Sequence, residues 1–260
     1  MNAENSIGIF DSGVGGLTIW NELRKLMPNE SFIYFADSVN APYGERSQKE
    51  IMELSGRNTR FLLSKKCKII VVACNTATTM AIAHLRKEFN VPFVGIEPAF
   101  KPAALQSQTK KVGVLATKGT LNSTLFNETY RRFGRNIEAT IRVGSGLVEL
   151  IESGKKDSVE MRQLLYRYLQ PMIANNCDHI VLGCTHYPFL KPLIQELTPA
   201  HVEIIDSGAA VAQQTYRVLK ELEMLASIRE KGDVFYTNGM QVVLASLLEE
   251  LDAKNYVIHS

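Results

Sequence analysis

The sequence predicts an α/β protein of two pseudo-symmetric, doubly wound, mostly parallel-sheet domains with the active site in the cleft between them. Three observations carry that expectation. Short apolar runs alternate with longer amphipathic segments from end to end, the pattern of parallel sheets flanked by helices. One segment recurs at an offset of 110 residues: Cys67-Lys68-Ile69-Ile70-Val71-Val72-Ala73-Cys74-Asn75-Thr76 aligns without gaps on Cys177-Asp178-His179-Ile180-Val181-Leu182-Gly183-Cys184-Thr185-His186. Each copy reads as a buried strand, then a small residue, a cysteine and a polar helix start, so the chain holds two related halves. Finally, Ile205-Asp206-Ser207-Gly208 echoes Phe10-Asp11-Ser12-Gly13 and marks a return to the first half. The expected domains are 1–97 plus 207–260, with 98–206 inserted; Pro98 and Pro102 sit at the crossover.

The expected strands are Ile7–Phe10, Phe32–Phe35, Ile69–Ala73, Phe93–Ile96, Val112–Ala116, Ile137–Val143, His179–Gly183, Val202–Ile205, Val234–Thr237 and Tyr256–Ile258. Helical periodicity covers Leu17–Leu26, Ile51–Leu63, Thr76–Glu88, Thr120–Phe133, Val159–Ile173, Val211–Leu222 and Gly239–Leu251. In such sheets a ligand sits beyond the carboxyl ends of the strands.

Composition narrows the function classes. With 29 basic and 27 acidic residues dispersed along the chain, nothing marks a nucleic-acid binder. No apolar run reaches the roughly 18 residues of a membrane helix. Met1–Ser6 lacks the basic start and apolar core of a signal peptide. The expectation is a cytoplasmic protein with neither a nucleic-acid nor a membrane partner, whose four cysteines are thiols. The sequence leaves the oligomeric state open, a homodimer among the options.

Cys74 and Cys184 follow strands and precede polar helix starts, where the positive end of a helix is expected to lower a thiol's pKa. A lone cysteine after a strand is more often a small core hydrophobe. Matched placement in a repeat, with polar residues following both, favours chemistry. Cys67 and Cys177 lie roughly 23 Å away along their strands, at about 3.3 Å per residue, and read as structural. That separation also argues against a structural zinc site, and no metal is expected.

Asp11-Ser12-Gly13-Val14-Gly15-Gly16 matches neither the dinucleotide nor the P-loop pattern. Its glycines alone would suit a tight turn. Asp11, however, ends a strand in the same cleft as Cys74 and is placed to accept a bond from an ammonium or to assist a proton transfer. Pro42-Tyr43-Gly44 reads as a turn. Asn75-Thr76 and Thr185-His186 read either as helix caps or as donors to a carboxylate. His186, two residues past Cys184, reads as a surface or core imidazole when taken alone, and as a proton relay beside a thiolate.

Together these segments resemble glutamate racemase. The matching motifs are Phe10-Asp11-Ser12-Gly13-Val14-Gly15-Gly16, Ala41-Pro42-Tyr43-Gly44, Val72-Ala73-Cys74-Asn75-Thr76-Ala77 and Leu182-Gly183-Cys184-Thr185-His186-Tyr187-Pro188, in the family's order through most of the chain. The resemblance implies Cys74 and Cys184 as the catalytic pair, assisted by Asp11, His186 and Glu152 of Leu150-Ile151-Glu152-Ser153-Gly154. It implies that Asp11, Ser12, Tyr43, Gly44, Asn75, Thr76, Thr185 and His186 bind glutamate. It further implies an isomerase with no cofactor, neither pyridoxal phosphate nor metal, that supplies D-glutamate for peptidoglycan.

The residue-level chemistry agrees, because inverting a stereocentre without a cofactor is simplest with a base on one face and an acid on the other. Three alternatives stand at this stage. One is a racemase for aspartate or another amino acid. The second is a hydrolase with Cys184 as nucleophile and His186 as base. The third is a non-catalytic two-domain binding protein.

Overall fold

The computed structural model describes residues 2–260. Strands and helices alternate: β1 (Ile7–Asp11), α1 (Leu17–Leu26), β2 (Phe32–Ala36), α2 (Gln48–Ser64), β3 (Ile69–Val72), α3 (Asn75–Glu88), β4 (Phe93–Gly95) and α4 (Phe100–Gln106). The middle of the chain adds β5 (Lys111–Ala116), α5 (Lys118–Leu121), α6 (Thr124–Phe133), β6 (Glu138–Val143), α7 (Leu147–Glu152), α8 (Val159–Ala174), β7 (His179–Gly183), α9 (Lys191–Leu197) and β8 (Glu203–Ile205). The last part holds α10 (Gly208–Glu221), β9 (Asp233–Thr237), α11 (Gln241–Glu250) and β10 (Tyr256–His259).

Two sheets result, ordered β10-β9-β2-β1-β3-β4 and β6-β5-β7-β8. Every pairing in both is parallel. The inner strands β1, β3 and β7 are buried along their whole length, which explains the apolar runs Ile7–Phe10, Ile69–Val72 and Ile180–Gly183 within them. In β2 and β9 burial alternates along the strand, so one face of each is less fully covered.

The chain's last strands join the first sheet because their side chains complete its core. Phe235 of β9 meets Trp20 of α1 edge-to-face with ring centroids 5.1 Å apart. The indole N–H of Trp20 donates to Asp233 at 3.2 Å. At the crossovers, the Ser207 hydroxyl donates to the carbonyl of Glu97, so the outgoing and returning strands of chain lie side by side. No helix among the described residues is long and apolar enough to cross a membrane.

Element boundaries differ from expectation in informative places. The segment Thr120–Phe133 is two helices, because the Ser123 hydroxyl accepts from the Phe126 N–H and starts α6 afresh. The short helices α4, α7 and α9 were not expected from periodicity; they have six or seven residues each, too few to show it.

At the end of the first sheet remote from the strand carboxyl termini lies a buried ion pair. Lys68 and Glu30, 0% and 2% exposed, meet at 2.6 Å. Lys68 also donates to the carbonyl of Ala3, and Glu30 accepts from the N–H of Ala226 at 2.8 Å. The pair thus ties the N-terminal segment and the loop before β9 to β2 and β3. Removing one partner leaves a buried charge uncompensated, which costs about 3–5 kcal/mol. Lys68→Ala should lower unfolding free energy by that amount in a denaturant titration; a loss of under about 1 kcal/mol, as for an exposed pair, would contradict this account.

Candidate active site

Both sheets have a point where the connections diverge to opposite sides: between β1 and β3 in the first, and between β5 and β7 in the second. Open parallel sheets bind ligands at such points. The four strand ends there carry Asp11, Cys74, Thr117 and Cys184. The last three converge on a small, nearly closed cavity, with Asp11 directly behind its wall. Ser12, Pro42, Tyr43, Gly44, Cys74, Asn75 and Thr76 line it from the first sheet's side, and Thr117, Val148, Cys184, Thr185 and His186 from the second's.

Cys74 is the N-cap of α3. Its sulfur accepts from the Ala77 N–H at 3.4 Å and donates to the Ser12 hydroxyl at 3.7 Å. The helix start was expected to lower its pKa; the net effect runs the other way. Burial and then the neighbouring Asp11 carboxylate push the thiol up, outweighing the two hydrogen bonds that favour the thiolate. Asp11 is fully buried and does not line the cavity, in contrast to a residue binding an ammonium directly. Its oxygens accept from the Ser12 N–H at 2.6 Å, the Ser12 hydroxyl at 3.2 Å, the Gly16 N–H at 2.6 Å and the Thr185 hydroxyl at 3.2 Å. Burial raises its pKa, against the opposing pull of His186.

Cys184 differs from expectation in its setting. The residues after it form a 3₁₀ turn at Tyr187–Leu190 instead of a full helix start. Its sulfur lies 3.8 Å from Nδ1 of His186, whose Nε2 lies 2.5 Å from Oε1 of Glu152. That same oxygen accepts the Val14 N–H at 2.7 Å, so the pair docks on the glycine-rich loop of the first sheet. Burial opposes a charge on His186, but the bonds to Cys184 and Glu152 and their charges outweigh it and hold the imidazole above its ordinary range. The outcome is a thiol on each side of the cavity, Cys184 beside an imidazole and Cys74 beside a serine hydroxyl.

The other sequence-derived candidates gather at the same cavity. Tyr43 donates to the buried Asp37 at 2.5 Å, which fixes the Pro42–Gly44 turn in the wall. Asn75 is 3% exposed, and neither polar atom of its amide has a partner among the described residues. A buried unpaired amide is costly unless something else satisfies it. The Thr76 hydroxyl lies 3.0 Å from that of Thr117, bridging the two halves. Thr117 and Val148 are not singled out by the sequence, and Pro42 enters there only as part of its turn. For Thr117 a signal was present: it follows the strand beside the one that ends in Cys184, as Asp11 ends the strand beside that of Cys74. Cys67, by contrast, lies behind β1 with its thiol pushed up to about 12 by burial, and Cys177 is raised by burial as well. Neither lines the cavity.

The profile of the Asp/Glu/hydantoin racemase family matches residues 18–215. The glutamate racemase of Ectopseudomonas mendocina (strain ymp) is 47% identical over 94% of this chain and 95% of its own. Among solved structures, Escherichia coli glutamate racemase in complex with L-glutamate and the activator UDP-MurNAc-Ala superposes with a TM-score of 0.86 at 31% identity, covering 98% of this chain and 97% of that one. Francisella tularensis glutamate racemase in complex with D-glutamate gives a TM-score of 0.82 at 29% identity, covering 99% and 98%.

The glycine-rich loop has a steric reason for its composition. A Cβ at Gly13 would overlap the carboxylate of Glu152, and one at Gly15 would overlap the imidazole of His186. Gly13→Ala and Gly15→Ala should therefore push the buried Glu152–His186 pair out of place, and each should lower the melting temperature as well. Their activity should fall by about 10²–10⁴, the usual contribution of a positioned acid or base. Full activity in both variants would show that docking of the pair on this loop is dispensable.

Proposed function

This chain belongs to the Asp/Glu/hydantoin racemase family, and from that membership we propose that it interconverts L- and D-glutamate with Cys74 and Cys184 as the two acid/base groups. The observation that supports this most is the cavity itself, lined by one thiol from each sheet. A thiolate on one side removes the Cα proton while the thiol on the other delivers one to the opposite face, and the roles exchange for the other enantiomer. His186, held by Glu152, serves Cys184; Asp11 serves Cys74 from behind the cavity wall. Ser12, Tyr43, Gly44, Asn75, Thr76, Thr185 and His186 hold the substrate, and the unpaired amide of Asn75 supports that role.

The domains in this reading are 1–97 with 207–260, and 98–206. The enzyme uses neither pyridoxal phosphate nor metal, works in the cytoplasm, and supplies D-glutamate for peptidoglycan. Glutamate is favoured over aspartate because the relatives of high coverage carry that name. The line Cys184–His186–Glu152 also has the form of a hydrolase nucleophile with base and orienter. That reading leaves Cys74 without a role, and a trapped acyl-enzyme would favour it.

Polarimetry on L-glutamate with chelator-treated protein tests the assignment. Wild type should racemise with no additive. Cys74→Ser and Cys184→Ser should each lower the rate by about 10²–10⁴ in both directions, because every turnover uses both thiols. Cys67→Ala and Cys177→Ala should keep their activity and lose stability on the order of 1 kcal/mol. Near-normal racemisation by Cys184→Ser would refute the two-thiol assignment.

A further inference from the structure

We infer that Ser12 is a proton-relay residue, its hydroxyl carrying the proton between the Cys74 thiol and the buried carboxylate of Asp11. The inference rests on the two-thiol reading above and assigns to one thiol the partner that reading leaves at a distance. Asp11 does not line the cavity, and Ser12 stands between it and Cys74. The Cys74 sulfur donates to Ser12 Oγ at 3.7 Å, and Ser12 Oγ donates to Asp11 Oδ1 at 3.2 Å. A serine hydroxyl can do both at once, since it has one proton to give and lone pairs to receive another. The chain of donors therefore already points from sulfur to carboxylate.

In the transfer, the Cys74 S–H bond breaks and its proton joins Ser12 Oγ as the Ser12 O–H proton passes to Asp11 Oδ1. Thiol plus carboxylate become thiolate plus carboxylic acid, and the site keeps one negative charge throughout. Burial disfavours ionisation of both groups, and the Asp11 carboxylate pushes the Cys74 thiol up further, so the pair shares a proton instead of losing two. The other charged groups acting on Asp11 are His186, which favours its carboxylate, and Glu152, which opposes it. The N–H groups of Ser12 and Gly16 and the Thr185 hydroxyl hold the carboxylate still during the exchange. The second thiol has the matching device in His186 and Glu152, so each has a two-member relay built from different residue types.

The test compares deuterium isotope effects at Cα, measured on kcat/KM with each enantiomer of glutamate. Weakening the proton transfer at one thiol makes that step the slower of the two. The isotope effect then rises for the enantiomer deprotonated there and falls for the other. Cys74→Ser and Cys184→Ser should give opposite patterns, which calibrates the assay. Ser12→Ala should follow the Cys74→Ser pattern, with kcat lowered about 100-fold. Ser12→Gly, a second variant without the hydroxyl, should do the same, whereas Ser12→Thr, which keeps it, should lack the Cys74→Ser pattern in its two isotope effects, whatever its KM. If Ser12→Ala raises KM and leaves both isotope effects as in wild type, Ser12 only binds substrate and the relay is overturned. Should the two cysteine variants fail to give opposite patterns, the two-thiol reading itself falls.

Discussion

The site depends on one buried carboxylate. Asp11 has no exposure to solvent, and such a charge persists only when its lone pairs are filled. Three of its four donors come from the loop that follows β1; the fourth, the Thr185 hydroxyl, comes from the other sheet's side beside Cys184. The bonds that satisfy the charge therefore also set the two strand ends in register across the cleft. Thr18 adds a parallel tie by donating to the carbonyl of Thr185 at 3.1 Å. Because Ser12 and Thr185 both border the cavity, any shift of Asp11 is felt by both of its walls.

A second constraint is how close the halves come. Glu152 and His186 lie against bare backbone at Gly13 and Gly15, and the Val14 N–H between those glycines binds the carboxylate that orients the imidazole. The first sheet's loop thus holds in place the pair that stands beside the second sheet's thiol. Conversely, Thr117 of the second half reaches Thr76 beside the first half's thiol. Each half thus positions side chains that belong to the other. This explains a cavity built from both sheets at their points of divergence, where strand ends alone can converge from two directions.

Much of this was legible in the chain because of how parallel sheets are buried. Strands such as Ile69–Val72 and His179–Gly183 have helices on both faces, so they carry continuous apolar runs that end abruptly at the first cleft residue. That abrupt end drew attention to Cys74 and Cys184, and the repeat paired them. Periodicity has no purchase on α4, α7 and α9, each about two turns or shorter, and it ran through the break at Ser123 because apolar spacing continues on both sides. Glu152, on the short helix α7, came from family resemblance alone; only folding brings it to His186, 34 residues on. The direction of the Cys74 shift was misjudged for a related reason. A helix start can be read from sequence, whereas the cost of burying a thiol beside a buried carboxylate depends on neighbours that only the folded chain supplies.

The central claim is that two thiols act from opposite faces of one substrate. Racemisation of L-glutamate in D₂O, stopped after a small conversion, addresses it without relying on any variant. A proton taken by one thiolate stays on its own side, while the proton delivered comes from the other thiol after exchange with solvent. The D-glutamate formed should carry deuterium at Cα almost completely, and the recovered L-glutamate should carry little. Substantial protium in the early D-glutamate would mean that one group serves both faces, and would contradict the account.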